Sequence, residues 1–467
     1  MTEKMRTDCL SRLDLEPTGN PLTSMSKVLY ERYRCPRNFF DFVLNGQLSS
    51  DEGYFRFGHD TLCFGRSTFG ARGAEYDALK DVVVNDGELR LPFDPTEIVD
   101  NLRLERYARP RLRTSEVAYS YLRRLYYLLR PLMTLPVRKQ AQKFYARSGR
   151  NLSFPGWPLD TTVENICERL LLLSMEAKGI RKVPFVWFWP DGATACQMMT
   201  HDVEGASGRD RCLGLMDLDD SYGIKASFQI VPEGRYAISR TLLASMRDRG
   251  FEVAIQDLNH DGRLFDNKEE FLRRAQTINH YAREYGATGF RAAILYRRPE
   301  WYDALEFAFD MSVPNVAHLD PQRGGCCTVM PFFIGKVLEL PVTTTQDYTL
   351  FHILDEHSID LWKTQLDLIM RKHGLASFIV HPDYVMDDDA LPVYKELLSY
   401  FQQLRKQTSI WSALPTEVNS WWRARSRMSI VEDGDRWRIE GNESERAVIA
   451  YAENVDGNLV YEVERPR

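Results

Sequence analysis

Thr200-His201-Asp202-Val203-Glu204 ends an apolar run that starts at Cys196, and the way it ends decides the fold. Two other stretches repeat the pattern. Asn259-His260-Asp261-Gly262 follows the run Phe251 to Gln256, and Val380-His381-Pro382-Asp383 closes the run from Leu375. Apolar segments that break abruptly into Asp or His are expected where strand ends deliver polar groups to one rim of an α/β barrel. Positions 202 and 204 are two apart, so on a strand both carboxylates face one side while His201 and Val203 face the other. Two carboxylates and two histidines converging on such a rim can hold a metal, deprotonate a water and protonate a leaving group.

Outward from these stretches the alternation is regular. Apolar runs at 196–202, 226–231, 251–256, 289–294, 337–342, 375–381 and 408–414 are separated by helical patterns such as 239–249, 268–285 and 361–372. Strand–helix alternation predicts an α/β fold, a distorted (β/α) barrel of about seven strands over 191–425. Residues 1–190 read as an N-terminal α+β extension. Within it, Asp94-Pro95-Thr96-Glu97 is a helix start, and Asp160 caps a helix carrying Val163, Ile166, Leu170 and Leu173 on one face. The aromatic run Pro184 to Pro190 reads as core entering a turn. Turn signals at Asp433-Gly434 and Asp456-Gly457 make 426–467 a small β-hairpin appendage.

Composition narrows the classes. Of 467 residues, 44% are hydrophobic, enough for a large core, and a net charge of −6 with no RNA or DNA motif argues against nucleic acid. Met1 to Pro21 is polar and of mixed charge, which predicts no secretory leader, and no apolar run is long enough to span a bilayer. The eight cysteines form no CxxC pair and read as free thiols in a reducing cytosol. The window 101–150 stands out, with 13 lysines and arginines against two glutamates. Tyr119, Leu122, Tyr126 and Leu129 recur there at helical spacing, a pattern that suits either peripheral contact with an anionic membrane or a packed helix with a solvated basic face.

The strand-end motifs, taken in order, resemble the polysaccharide deacetylase family, the family 4 carbohydrate esterases with the NodB homology fold, over about 190–415. His201-Asp202-Val203-Glu204 matches its first motif, with Glu for the second acid. The resemblance implies Asp202 as catalytic base and Glu204 as metal ligand. The second motif, two histidines four apart, keeps His260 but has Gln256 in the first position. The third keeps Arg291, which would hold the base, but has Ala293 where the family has proline. His381 matches the last motif and would be the general acid, with Asp347 as its orienting acid. Gly324-Gly325-Cys326-Cys327 and Glu339-Leu340-Pro341 resemble a subgroup associated with exopolysaccharide biosynthesis.

The implied activity is removal of acetyl groups from a glycan by a metal-activated water, with zinc the leading ion and Mn²⁺ or Mg²⁺ suited to a more oxygen-rich set. Gln256 bears on all of this, because an amide oxygen is a poorer zinc ligand than imidazole. A slow deacetylase, a harder ion, or an empty site in a carbohydrate-binding pseudoenzyme all remain open. Another amidohydrolase on the same fold is the third class, since fold does not fix substrate.

Overall fold

The computed structural model describes residues 24–108 and 152–464, except 37, 38, 86 and 435, together with 140 and 143. The basic stripe of Tyr119, Leu122, Tyr126 and Leu129 lies outside the described residues. No helix among the described residues is long and apolar enough to cross a membrane.

Nine strands form the central sheet: β1 (Ala195–Val203), β2 (Ala226–Ile230), β3 (Glu252–Gln256), β4 (Gly289–Arg291), β5 (Phe309–Asp310), β6 (Phe332–Ile334), β7 (Val337–Glu339), β8 (Leu375–Val380) and β9 (Ile410–Ser412). Their order is β6-β7-β5-β4-β3-β2-β1-β8, with β9 also on β1. Only the β6–β7 pair is antiparallel. With α-helices after β1, β2, β3, β7 and β8, this is a distorted (β/α) barrel with extra elements at both ends.

Nine strands replace the expected seven because β5, two residues long, and β6, three, are too short to show a period. The run 289–294 ends as a strand at Arg291, since Ala293–Leu295 turns back with Ile294 at φ 60° and Leu295 at φ 54°. A β-branched residue in the left-handed region is a backbone outlier. In the run 337–342 the regular strand ends at Glu339, and an isolated parallel bridge between Val342 and Pro314 follows it.

Side-chain parity explains how the sheet is filled. Cys196 and Met198 of β1, Ala254 of β3, Phe309 of β5 and Leu375 of β8 point into one core cluster, while Met199, Val203, Ile255, Phe290, Phe378 and Val380 join a second beneath the helices. The first cluster continues into Tyr33, Phe55, Val163, Ile166, Trp187 and Trp189, so the N-terminal elements plug the barrel's lower end. The aromatic run is core, as expected: Trp187 and Trp189 are fully buried. Gly289 is required where it stands, because a Cβ there would overlap the Phe309 ring.

The helix Thr162–Ala177 starts one residue later than expected. Thr161 is its N-cap, while Asp160 Oδ1 accepts from the Thr162 amide. The two C-terminal hairpins, 429–440 and 449–463, form around the predicted turns. Ile449–Val455 also pairs with Lys182–Val186, which ties the appendage to the segment ahead of the barrel. Upstream, Glu105 forms a buried ion pair with Arg297, and Asp160 and Asn315 exchange hydrogen bonds of 2.8 Å through the Asp160 backbone. These ties fasten the N-terminal segment to the loops after β4 and β5.

Candidate active site

Continuing the inner parity of each strand past its last buried apolar residue gives the site. On β1 the inward series is Cys196, Met198, Thr200, Asp202 and then Glu204. On β3 it ends at Gln256, on β4 at Arg291, and after β8 at His381. Arg291 lies opposite Gln256, and Val380 opposite His201, in the parallel register. All these groups therefore meet at the C-terminal ends of the strands, where open α/β sheets and barrels place their ligands.

Asp202 is held from two sides. Arg291 Nη1 lies 2.5 Å from its Oδ1 and also donates to Thr200 Oγ1 at 2.8 Å. Gln256 Nε2 donates to Asp202 Oδ2 at 2.9 Å and to Glu204 Oε1 at 3.3 Å. Both Asp202 and Arg291 are buried, so breaking the pair would strand a charge away from water, which typically costs about 3–5 kcal/mol.

Glu204 is the hub. His260 Nε2 lies 2.7 Å from its Oε1 and His381 Nε2 lies 3.5 Å from the same oxygen. Its side chain is 24% exposed against 3% for His260 and 4% for His381, so it is where the cluster opens to solvent. Burial alone would raise its carboxyl pKa, but His260 and then His381 hold it well below the usual range. His381 is positioned in turn by Asp347. Oδ1 of Asp347 lies 2.6 Å from Nδ1, and Oδ2 accepts from the His381 amide at 2.7 Å. Burial alone would lower the His381 pKa, but Asp347 and then Glu204 raise it well above the ordinary value.

His260 sits on a turn, in the left-handed region at φ 54°. The turn is braced by Arg274, whose guanidinium makes two 2.8 Å bonds to Asp261. Arg235 reaches in from the loop after β2. Its Nη2 lies 3.0 Å from His260 Nδ1 and donates to the His260 carbonyl at 3.2 Å. Asp257 turns its Oδ1 to the Leu258 amide and makes no hydrogen bond into the site.

A divalent cation has a place here. Asp202, Glu204 and His381 each offer a ligand atom, all within 4.8 Å of one another, and His260 presents a buried nitrogen without an aligned hydrogen bond beside Glu204. Carboxylate oxygens with imidazole nitrogen make a donor set that fits zinc chemically. Gln256 adds no ligand atom as it stands, because it turns its NH₂ to the carboxylates while its buried Oε1 has no partner.

The structure thus brings together Asp202, Glu204, Gln256, His260, Arg291 and His381. It also brings in Arg235, for which the sequence carries no signal, and Thr200, whose signal is its inward parity. His201 points outward, as its parity requires. Its Nε2 lies 2.7 Å from Asp219 Oδ2, with both side chains fully buried.

No protein-family model and no curated protein matches the sequence. In structure the chain is similar, at low identity, to polysaccharide deacetylases of the family 4 carbohydrate esterases. A protein of Mycobacterium smegmatis assigned to the polysaccharide deacetylases is 16% identical, with 54% of this chain and 98% of that one covered at a TM-score of 0.42. The peptidoglycan deacetylase PdaC of Bacillus subtilis is 12% identical, with coverage of 48% and 90% and a TM-score of 0.31. PuuE allantoinase is 11% identical, with coverage of 50% and 92% and a TM-score of 0.37. These likenesses are likenesses of fold.

Proposed function

We propose that this chain is a hydrolase of the deacetylase type, removing acetyl groups from a carbohydrate at the Asp202–Glu204–His381 rim. One observation carries the reading. A carboxylate pinned by a buried arginine and an imidazole pinned by a buried carboxylate flank Glu204, the group through which the cluster reaches solvent.

In this reading Asp202 takes the proton of the attacking water. Arg291 pairs with that carboxylate, and its second bond to Thr200 fixes where it points. His381 acts from the other side. Its Nδ1 faces Asp347, so its Nε2 delivers a proton to the departing nitrogen or oxygen. Arg291 and Asp347 thereby each fix one of the two groups. Burial alone would lower the pKa of His381, but Asp347 and then Glu204 raise it, which suits it to carry the proton. Glu204 and His260 would hold a divalent cation, zinc by donor chemistry. When bound, such an ion polarises the acyl carbonyl and brings its water's pKa to about 7. The Gly324-Gly325-Cys326-Cys327 resemblance supports a narrower substrate, a glycan of exopolysaccharide assembly.

Gln256 favours a second reading, carbohydrate binding without turnover, because its amide lies against both carboxylates. Incubating the full chain with N-acetylated and O-acetylated oligosaccharides, with and without added zinc, separates the two. Acetate release above a Glu204→Gln control supports the hydrolase. Binding of those sugars with no acetate release refutes the hydrolase and leaves the binding protein.

A further inference from the structure

A cavity that the acid–base pairs do not use lies beside them, between the loops after β5 and β7. Its walls include Leu295 and Val342, which pack on Ile379, the inward residue two before His381. Gln346, also in the lining, precedes Asp347, the residue that positions His381. The cavity therefore shares a wall with the Asp202–Glu204–His381 rim. Its volume is about 30 Å³, room for one or two waters or a hydroxyl-bearing substituent but not for a sugar ring.

Two lining residues decide what such a substituent meets. Asp320 is 9% exposed, and its Oδ1 accepts from Gln346 Nε2 at 3.3 Å. Burial pushes its carboxyl up to about 6 while Arg297 opposes the rise, so above that pH it is an anion and an acceptor. A buried carboxylate pairs with a hydroxyl and repels a second carboxylate. The other residue is Trp157, which is 43% exposed and yet held in place. Its ring stacks on buried His318 at 6.5 Å and 21°. The backbone that follows is fastened to the barrel. Gln365 Nε2, from the helix Asp360–Arg371, donates to the Pro158 carbonyl at 2.9 Å, and the Asp160 amide donates to Asn315 Oδ1 at 2.8 Å. An indole fixed in position while open to solvent offers a flat apolar face to the C–H side of a sugar ring.

We propose that Trp157 and Asp320 form a subsite for a neutral sugar unit beside the reacting one: the ring lies on the indole and a hydroxyl or hydroxymethyl group enters the cavity toward Asp320. The segment ahead of the barrel then does more than plug its lower end, since it supplies the aromatic wall of the subsite. A uronic acid is rejected at this position, because its carboxylate would be brought to Asp320. The inference rests on the reading of the rim as a carbohydrate site, and it narrows the glycan to one with a neutral hexose or hexosamine there.

The test is calorimetric titration of the full-length chain at about pH 8, where Asp320 is ionised, with folding checked by circular dichroism. The probes are a tetrasaccharide of N-acetylglucosamine and the same tetrasaccharide oxidised to carboxylates at C6. Wild type is expected to bind the neutral probe at least about tenfold more tightly than the oxidised one. Trp157→Ala is expected to weaken neutral binding about tenfold, and Trp157→Tyr, which keeps a ring, by no more than about threefold. Asp320→Asn keeps an acceptor for Gln346 but removes the charge, so the two probes should come within about threefold of each other. Phe333→Ala, which removes an aromatic ring 38% exposed on β6, should change nothing.

No binding of the neutral probe by wild type overturns the subsite, as does full affinity in Trp157→Ala or an equal loss in Phe333→Ala. A preference between the probes that Asp320→Asn leaves intact also overturns it. Acetate release in the same samples keeps the two proposals apart. Release with no effect of Trp157 on binding removes the subsite alone, whereas binding that depends on Trp157 and Asp320 with no release removes the hydrolase alone.

Discussion

Two buried histidine–aspartate pairs stand on neighbouring strands, and only one of them faces the site. His201 on β1 lies opposite Val380, the residue before His381. His201 Nε2 is 2.7 Å from Asp219, and His381 Nδ1 is 2.6 Å from Asp347. In side-chain chemistry and length the pairs are nearly the same. The first is sealed under the helix Ala206–Ser221, with Tyr394 donating to the other Asp219 oxygen at 2.7 Å. The second turns its free nitrogen toward Glu204, the group that opens to solvent. What separates them is strand parity: His201 is odd in a series whose inward members are even, while His381 continues the inward series of β8. A histidine–aspartate pair is therefore no mark of catalysis until its face of the sheet is known.

The comparison breaks first on turnover. His381→Ala is expected to cut acetate release by about 10²–10⁴-fold, the usual contribution of a positioned general acid or base, whereas His201→Phe should leave release at the wild-type rate. Steady-state assays on the two folded variants decide this. Equal losses would mean that both pairs are structural or that both reach the substrate.

Stability should register both faces of the sheet. Asp202→Ala removes the partner of fully buried Arg291 and is expected to cost about 3–5 kcal/mol in urea unfolding. His201→Phe removes one of two hydrogen bonds to buried Asp219 and is expected to cost about 1–3 kcal/mol. A neutral result for His201→Phe would remove it from the stabilising core.

The smallest effect is one of pH. The raised pKa of His381 means that its contribution to stability is complete below about 6.5, the unfolded value, and is lost as pH rises through the folded one. Glu204, whose pKa is lowered, contributes above about 4.3 and loses that contribution as pH falls through its folded value. Melting temperatures across pH should therefore decline on the alkaline side in wild type and in His201→Asn, and decline less in His381→Asn. An unchanged alkaline slope in His381→Asn would contradict the assignment.

Much of this was legible because the long elements obey simple periods. The helix Lys268–Tyr285 was readable at both ends, from the Asn267 side chain that caps it and the left-handed Gly286 that stops it. The spacing of Asp202 and Glu204 already put both carboxylates on one face. What the sequence hid was short or irregular. Phe309–Asp310 is too brief to show alternation, yet it carries β7 in the sheet. Arg235 lies on an exposed loop, and only the fold brings it to His260. Asp347 was legible only through the family resemblance, since it stands in a loop beyond β7 and its distance to His381 depends on how that loop crosses the rim. Gln256 was legible as a residue but not as a donor, since only coordinates show which end of the amide faces the carboxylates.

The most direct measurement is acetate release from an N-acetylated oligosaccharide by the full chain in added zinc, set beside folded Asp202→Asn. The account predicts release by wild type and a fall of at least about 10²-fold in the variant. Release by Asp202→Asn at the wild-type rate would contradict it.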